Sequence, residues 1–473
     1  MTKKHLASFC LCYHFPVKVE QTVGGVVWVE EHMLLPLARK RVEASKPFRL
    51  YFASWPVLLS FGSTLISGYI SFRIIQYLGF EDFGTYIVLQ WLATLILPLV
   101  SIGSSALTSR ALAELQSRET PRIAAGIFYL LWSRQSRAAL RFIMLIVLGV
   151  YPLALLLHLP WHLLFLANLA TLPMLFNSIA GIALSSQRRR DLLTLLQLFN
   201  ALLTLFLLLW IEQLQEQKLL FLFLINVIAG ALTLAVAIYC VTQLLPLDHP
   251  MRPGIFLRER LLKHCYSSLK EFVPDSIIWQ NGEYFFLLFW QPHSAIGIYA
   301  LSVSLSTWIM RAVPHLFSLV LYPFLTRSLR RAARPQDMFL RHSCYLALVA
   351  IPLFFLAALL VPIIVEFLFG PQVYPFVLPF YIQLLASAVG CVATVSYTYL
   401  ASLPQRNYLL RLNWCAALLK LVLAGLLIQV SGTLGAALAC SCAQIFAAGG
   451  AIWLCHHALK CSNVNELPPG LHV

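Results

Sequence analysis

Charged side chains are scarce in this chain of 473 residues, of which only 11% are Asp, Glu, Lys or Arg. An ordinary soluble domain carries about 25%. The deficit excludes a soluble globular protein, and it also excludes a disordered one, because disordered chains combine many charges with few apolar residues. Apolar residues stand in their place: 60% of the chain is hydrophobic, and the mean hydropathy is +0.78. The composition predicts an integral membrane protein with many spans.

The short motifs of common catalytic and metal sites are also missing. The chain has no GxxxxGK[S/T] phosphate-binding loop, no HExxH and no GxSxG, which mark P-loop NTPases, zinc proteases and α/β-hydrolases. Its 11 cysteines include no CxxC pair, and we interpret them as small apolar helix residues. We therefore predict that the protein is not an enzyme and has no catalytic residue, metal or cofactor.

Long apolar runs predict twelve transmembrane helices, since one span needs about 20 mostly apolar residues. The runs are continuous and lack the short apolar–polar alternation of transmembrane barrel strands. The predicted spans are 51–72, 84–108, 138–158, 161–183, 192–211, 219–244, 270–292, 296–325, 343–367, 375–403, 408–430 and 432–456.

Basic residues are concentrated on one side of the membrane in this topology. Thirty of the 34 Lys and Arg residues lie in the two tails and in the loops that follow even-numbered spans. The opposite loops hold only Arg73 and Lys218. The formal net charge of +15 is thus explained by loops beside membrane lipids and indicates no nucleic-acid partner. The positive-inside rule predicts that both termini are cytoplasmic.

The two sets of six spans are similar in sequence. Arg189 corresponds to Arg406 at an offset of 217, and Gly84-Thr85-Tyr86 corresponds to Gly297-Ile298-Tyr299 at an offset of 213. Because each repeat has an even number of spans, the halves share one orientation and are related by an axis along the membrane normal. Such parallel repeats are typical of transporters with a central site between the halves.

This organisation predicts five segments. They are a disordered cytoplasmic tail at 1–50, an N-terminal six-helix bundle at 51–244, a cytoplasmic amphipathic linker at 245–267, a C-terminal six-helix bundle at 268–456 and a cytoplasmic tail at 457–473. Within the tail, translation starting near Met33 is an alternative to Met1. Within the linker, the basic amphipathic stretch 256–262 is typical of an interfacial helix.

Polar residues inside the predicted spans are candidate site residues, because a charge at the bilayer centre costs about 3 kcal/mol. The eighth span carries one narrow helical stripe of Ser304, Thr307, Arg311, His315 and Ser318. We favour the interpretation that this stripe lines a substrate cavity. The alternative is that Arg311 snorkels to the interface or forms a structural ion pair.

The seventh span presents Ser276, Gln280 and Glu283 on one face, and Asp275 lies near its cytoplasmic start. Glu283 is interpreted either as an ion-pair partner, for example of Arg311, or as a group that takes up a proton or cation during transport. Asp275 either neutralises a nearby lysine or takes part in that coupling.

Lys420 lies ten residues inside the eleventh span, and its helix offers no acidic partner. Together with Arg311 it indicates an anionic substrate group such as phosphate. The first span carries Ser60, Ser63, Ser67 and Ser71 at helical spacing, which favours close helix packing over cavity lining.

Four segments resemble one family. Residues 78–114 begin with LGFEDFGTY and continue into an apolar helix and a basic loop, which is similar to the LGxxxFGxY region of polysaccharide flippases of the O-antigen type. Segment 296–331 is similar to that family's eighth helix, and 368–386 and 431–440 are similar to the starts of its tenth and twelfth helices.

The resemblance implies the multidrug/oligosaccharidyl-lipid/polysaccharide (MOP) exporter superfamily, with two six-helix bundles forming a V around a central cavity. It implies alternating access that moves a polyprenyl-pyrophosphate-linked glycan from the cytoplasmic to the outer leaflet of a bacterial inner membrane. The product would supply surface polysaccharide such as the O-antigen of lipopolysaccharide, with a polysaccharide polymerase and a chain-length regulator as partners.

The family's polar pair in the seventh helix resembles Asn-x-x-Asp, and Gln280-Asn281-Gly282-Glu283 stands in the matching region here. Two alternatives stay open. One is a multidrug or metabolite extruder of the same fold, which would favour an acidic cavity over one with Arg311 and Lys420. The other is a polysaccharide polymerase or ligase, which usually carries a large external loop that this chain lacks.

Overall fold

The described residues of the computed structural model are almost all helical. They are 46–100, 121–186, 190–213, 217–245, 281–310, 335–402 and 406–461, with short pieces between 247 and 279. No β-strand occurs among them. The predicted all-α membrane class is confirmed, as expected for apolar segments that must satisfy every backbone hydrogen bond internally in hydrocarbon.

Ten helices make up the described fold. They are α1 (Lys46–Val100), α2 (Pro121–Leu157), α3 (Trp161–Ser186), α4 (Arg190–Ile211), α5 (Lys218–Leu244), α6 (Tyr284–Trp290), α7 (293–310), α8 (Pro335–Phe369), α9 (Tyr374–Ser402) and α10 (Arg406–Cys461). A 3-10 turn, Pro371–Val373, leads from α8 into α9.

Eight of these helical stretches are long and apolar enough to cross a membrane. Their outward surfaces are hydrophobic, as shown by Leu148, Phe367 and Val430, which are 76%, 88% and 87% exposed. Large apolar surfaces of this kind are unfavourable in water and are compatible with lipid. The chain is a multi-pass membrane protein.

Helix α10 contains two spans. Its 56 residues would extend about 84 Å if straight, whereas the hydrocarbon core is about 30 Å thick. The backbone leaves the helical conformation at Gly432, where φ is 58°. Beyond it the chain folds back. The backbone of Gly435 comes so close to Leu427 that a Cβ on Gly435 would overlap the Leu427 carbonyl oxygen. The predicted eleventh and twelfth spans thus form an antiparallel hairpin.

Helix α1 is divided in the same way at Gly79, where φ is 75°. Ser67 on the first arm and Gln90 on the second arm line one cavity, although a straight helix would separate them by about 35 Å. The two arms correspond to the first two predicted spans.

Two predicted spans differ most from the structure. The third was predicted to start at 138, but α2 starts at Pro121, because a helix that carries exposed Arg137 and Arg141 continues beyond the apolar layer that hydropathy detects. The seventh is interrupted by a turn at 281–283, with Asn281 in the left-handed region at a φ of 62°. The seventh and eighth spans are only partly described, so the count of twelve stays a prediction.

The two Gly-x-Tyr motifs meet where the second arm of α1 crosses α7. A Cβ on Gly84 would overlap the carbonyl oxygen of His293, and a Cβ on Gly297 would overlap that of Phe80. At an offset of 213, Phe80 corresponds to His293 and Gly84 to Gly297, so each contact is the symmetry counterpart of the other. This reciprocal contact is what a two-fold related pair of surfaces produces, and it supports the proposed pair of repeats.

Turn residues with positive φ also recur in the two halves. His158 after α2 corresponds to Gly370 after α8, with φ values of 54° and 75°. Gln217 before α5 corresponds to Gly432 within α10, with φ values of 51° and 58°. The offsets of 212 and 215 are close to those of the sequence repeat, so the halves also share turn geometry.

The predicted linker at 245–267 contacts the start of α2. Met251 donates a backbone hydrogen bond to the carbonyl oxygen of Arg122 over 3.0 Å, and Gly126 lies directly against the Met251 carbonyl. Most of the predicted interfacial stretch 256–262 lies outside the described residues.

Candidate functional site

A cavity of about 300 Å³ lies between both arms of α1, α4, α5 and α7. This volume is at the lower end of ligand pockets, which span about 300–1,000 Å³. None of the described residues that line it is charged. Its polar lining consists of Ser67, Ser71, Tyr86, Gln90, Asn200, Thr204, Asn226 and Ser304.

Neighbouring side chains orient the amides of this lining. Thr233 donates to Oδ1 of Asn200 over 3.0 Å, and Nδ2 of Asn226 donates to the hydroxyl of Tyr86 over 3.0 Å. The hydroxyl of Ser67 donates to the carbonyl oxygen of Ser63 and keeps its lone pairs as acceptors. The cavity therefore offers both donors and acceptors without net charge.

The predicted polar stripe of the eighth span is partly placed by the structure. Ser304 lines the cavity and Thr307 does not, because the cavity-facing side of α7 runs through Leu305 and Trp308 instead. Arg311, His315 and Ser318 lie outside the described residues. On the first arm of α1, Ser60 and Ser63 are buried, as packing predicts, whereas Ser67 and Ser71 face the cavity.

Four cavity residues were missed by the sequence analysis. Gln90, Asn200, Thr204 and Asn226 are neutral and stand among leucine-rich runs, so no charge draws attention to them. A usable signal was the spacing of Asn200 and Thr204, which places both on one face of an otherwise apolar helix.

Aromatic side chains join the halves near the Gly79 turn. Phe369, the last residue of α8, packs against Phe72 and Phe80 with ring centroids 5.0 and 5.4 Å apart. Phe72 also lines the cavity. Phe72 therefore connects the aromatic cluster of Phe72, Phe80 and Phe369 to the cavity lining, at what the predicted topology makes the outer end.

Two basic residues connect loops at the same end. Arg73 forms an ion pair with Glu212, and Nζ of Lys218 donates to the carbonyl oxygen of Tyr77 over 3.0 Å. Arg73 and Lys218 are the two basic residues that the topology assigns to outer loops. The structure therefore brings together the turns that follow the first and fifth spans, as an alternating topology requires.

A second polar region lies in the C-terminal half, where Lys420 and Glu283 form an ion pair. Nζ of Lys420 is 2.6 Å from Oε2 of Glu283, and both side chains are completely buried. Lys420 also donates to the carbonyl oxygen of Ile278 over 2.9 Å. A buried pair of this kind is strongly destabilised when one partner is removed, because the other charge is left uncompensated.

Further polar groups complete this buried cluster, which we define as Glu283, Lys420, Tyr299 and Gln383. The hydroxyl of Tyr299 donates to Oε1 of Glu283 over 2.8 Å and accepts from Nε2 of Gln383 over 3.1 Å. Each member has 1% exposure or less.

The structure therefore gives Glu283 the partner Lys420, and it places both in the buried cluster rather than along the described cavity. Asp275 accepts a hydrogen bond from Asn413 over 2.7 Å. Ser276 and Gln280 lie outside the described residues. Within the described part of the chain, no three His, Cys, Asp or Glu side chains are grouped closely enough to hold a metal ion.

No protein-family model matches the chain, and no curated protein sequence matches it. Solved structures do match. An inward-facing multidrug resistance MATE family transporter of the MOP superfamily has a TM-score of 0.63 at 11% identity, with coverage of 87% of this chain and 96% of that one. The lipid II flippase MurJ, in an inward closed conformation, has a TM-score of 0.62 at 12% identity, with coverage of 84% and 86%.

The MATE transporter VcmN of Vibrio cholerae, in its bent form, has a TM-score of 0.55 at 16% identity, with coverage of 89% of this chain and 98% of that one. At such identities the likeness shows the fold alone. The chain shares the fold of these MATE and MurJ structures, which is the type of fold that the resemblance implied.

Proposed function

We propose that this protein flips polyprenyl-pyrophosphate-linked oligosaccharide repeat units from the cytoplasmic to the outer leaflet, by alternating access, for surface polysaccharide biosynthesis. The observation that carries the proposal is the cavity lined by hydroxyl and amide groups without charge. Sugar hydroxyls both donate and accept hydrogen bonds, and Ser, Thr, Asn and Gln side chains offer both.

The pyrophosphate end of such a substrate needs a cation, and we assign that contact to Arg311. Ser304 of α7 lines the cavity, and the sequence predicts that Arg311 and His315 belong to the same polar stripe as Ser304. Lys420, which the sequence suggested for the same task, is engaged with Glu283 in the conformation described here. Ser276 and Gln280 are proposed to contact sugar hydroxyls, whereas Thr307, which does not line the described cavity, would do so only in another conformation.

Coupling to an ion gradient stays proposed at Glu283 and Asp275. Both carboxylates have partners, in Lys420 and Asn413, so a role in coupling would require these contacts to open. The inner membrane, cytoplasmic termini, and a polymerase and chain-length regulator as partners belong to the same proposal. The lipid II flippase MurJ, one of the structural neighbours, supports a lipid-linked substrate.

A multidrug or metabolite extruder is the second candidate, and the MATE neighbours support it equally. Cationic drugs favour an acidic cavity, however, and the described lining contains no carboxylate. A polymerase or ligase is the third candidate, which the short loops that the sequence predicts on the outer side disfavour.

Lipid-linked glycan in a bacterial strain lacking this gene tests the proposal. Sugars would be labelled, polyprenyl-linked oligosaccharide extracted, and the strain complemented with wild type, Arg311→Ala or Arg341→Ala. Arg341 is the matched control, because it is an exposed arginine near the ring of Tyr345 on α8. We expect completed repeat units to accumulate on the inner leaflet in the null strain and with Arg311→Ala, while Arg341→Ala restores export.

Three other outcomes would contradict parts of the proposal. Single units that reach the surface without being polymerised would identify a polymerase. Unchanged glycan combined with increased drug sensitivity would identify an extruder. Full export by Arg311→Ala at normal protein level would remove Arg311 from the substrate path.

A further inference from the structure

The outward face of α2 changes from basic to apolar along its length. Arg134, Arg137 and Arg141 follow one another at helical spacing, within a stripe about 60° wide. Arg137 and Arg141 are exposed, and Arg134 is partly exposed. Toward the end of the helix the same stripe continues through Leu145 and Leu148, which are both exposed. The three arginines extend over about 10 Å of the helix, and the apolar part follows directly.

This change from basic to apolar coincides with the predicted inner edge of the membrane. The predicted third span starts at 138, and α2 extends from there back to Pro121 on the predicted cytoplasmic side. Lipid headgroups occupy this level of a bilayer, and the acyl chains lie beside the apolar part of the helix. Arg141, just inside the predicted span, reaches the headgroups because a long arginine side chain snorkels. The face therefore offers cations to headgroups and leucines to acyl chains.

Among the described residues, no carboxylate forms an ion pair with any of the three arginines. Helices α2, α3 and α5, which pack together at this end, contain no Asp or Glu. Nε and Nη2 of Arg137 donate to the carbonyl oxygen and the hydroxyl of Ser133 over 3.4 and 3.5 Å. The opposite edge of that guanidinium keeps its N–H groups for an external acceptor. Phosphate oxygens suit this edge, since they accept paired hydrogen bonds from arginine.

The corresponding helix of the second half lacks this basic stripe. His158 and Gly370 relate the ends of α2 and α8 at an offset of 212. At that offset the three arginines of α2 correspond to Leu346, Val349 and Leu353 of α8. The positive-inside rule alone would favour basic residues in both helices, because the two have the same predicted orientation. The stripe is therefore a feature of α2 itself, and it requires a local explanation.

We propose that this face of α2 binds an anionic phospholipid of the cytoplasmic leaflet. The lipid phosphate lies between Arg137 and Arg141, and the acyl chains lie along Leu145 and Leu148. Basic clusters at the cytoplasmic surface attract anionic lipids, whereas a zwitterionic lipid adds a cation that the arginines repel. The lipid site goes beyond the proposed function, because it is separate from the cavity and does not depend on which substrate is transported.

Thermal unfolding of the purified full chain in non-ionic detergent tests the proposal without a transport assay. The midpoint Tm would be measured while dioleoylphosphatidylglycerol or dioleoylphosphatidylcholine is added, since the two lipids share their acyl chains. We expect phosphatidylglycerol to raise the Tm saturably, by on the order of 2 °C more than phosphatidylcholine. Arg137→Gln/Arg141→Gln should lose most of this difference. Arg341→Gln is the matched control, because Arg341 is an exposed arginine of α8 beside the ring of Tyr345, and it should keep the difference.

Four results would overturn the proposal. Equal shifts by the two lipids would show that only acyl chains bind. An equal response of Arg137→Gln/Arg141→Gln and wild type would place the lipid elsewhere on the protein. A shift produced by inorganic phosphate alone would show a site for free anions. A shift produced by polyprenyl phosphate but not by phosphatidylglycerol would assign the face to a transported lipid. Glycan export enters none of these measurements, so failure of the proposed function would leave their outcome unchanged.

Discussion

The corresponding tyrosines of the two halves have different surroundings. Tyr86 borders the described cavity and accepts a hydrogen bond from Asn226. Tyr299, its counterpart in the repeat, donates to Glu283 within the buried cluster. At the offset of 217, the position of Lys420 is Leu203 in the first half. Corresponding tyrosines of the two proposed repeats therefore border a neutral cavity, which α7 also lines, and a buried charged cluster.

This difference assigns different tasks to the two interiors. A neutral cavity with oriented amides can exchange one hydroxylated ligand for water at little electrostatic cost. A dry ion pair opens only if another charge or water replaces each partner, because an isolated buried charge is strongly unfavourable. We therefore expect the cavity to bind ligand and the buried cluster to hold the geometry of the C-terminal half.

The largest effect is expected from removing one charge of the cluster. Glu283→Leu should lower the free energy of unfolding by about 3–5 kcal/mol, because Lys420 is left buried without its counter-charge. Glu283→Leu/Lys420→Leu should recover more than half of that loss. Denaturant or thermal unfolding of the purified proteins measures both.

Glu212→Leu is the matched control, because it breaks the ion pair with Arg73 in which both side chains are partly exposed, 21% and 30%. Its cost should be about 1 kcal/mol or less. A double variant as unstable as Glu283→Leu would show that the cluster is not held by compensation of charge.

Substitutions on either side of the crossing of α1 and α7 should lower the stability of the protein by equal amounts. Gly84→Ala and Gly297→Ala each place a methyl group against a backbone carbonyl, and overpacking of this kind costs about 1–3 kcal/mol. Gly149→Ala is the control, since its Cβ meets nothing within 4 Å, and it should be neutral or stabilising. Markedly unequal costs at Gly84 and Gly297, measured by Tm, would contradict the symmetry of the contact.

A smaller effect is expected where the cavity meets α7. Gly68→Ala drives a methyl group into the ring of Trp308, a flexible contact that should cost about 1 kcal/mol and reduce export by narrowing the cavity. Gly62→Ala, on the same arm of α1 with open space around it, should change neither stability nor export. Normal export by Gly68→Ala would separate this part of the cavity from the substrate path.

The smallest change in stability is expected from a single cavity hydroxyl. Thr204→Val keeps the shape of the side chain and removes a hydroxyl that donates to the carbonyl oxygen of Asn200. The free energy of unfolding should therefore fall by only about 0.5 kcal/mol, while glycan export should decrease. Thr242→Val removes an exposed hydroxyl that is bonded to its own helix in the same manner and should leave export unchanged. Equal export by the two variants would argue that the Thr204 hydroxyl does not contact substrate.

Helix starts were predicted best where an apolar run begins abruptly. The predicted fourth span starts at Trp161, as α3 does, and the predicted sixth starts at 219, next to Lys218 at the start of α5. The early start of α2 was missed, since hydropathy reports the apolar layer and not the helix that continues outside it. The interruption at Asn281 was missed although Asn281-Gly282 is a typical turn pair, because long apolar runs flank the short polar stretch at 280–283.

The residues of the candidate site likewise include some that the sequence identified and some that it did not. The deep charges Glu283 and Lys420 were found from sequence, because an ionisable residue in a membrane span is rare and costly. Their mutual pairing was not found, since it joins residues from different spans. The neutral lining of Asn200, Thr204 and Asn226 was not found either, because an amide among leucines becomes a site only when other helices leave space beside it.

By itself, the sequence determined the class of the protein and the position of the described spans, and it predicts the charge asymmetry and the repeat. These properties follow from local composition, because the membrane requires each span to be apolar and internally hydrogen-bonded. Only the tertiary structure decided which polar residues meet, where the cavity remains open and where the halves cross at Gly84 and Gly297. Those properties depend on side-chain volume and on contacts between distant spans, which local composition does not contain.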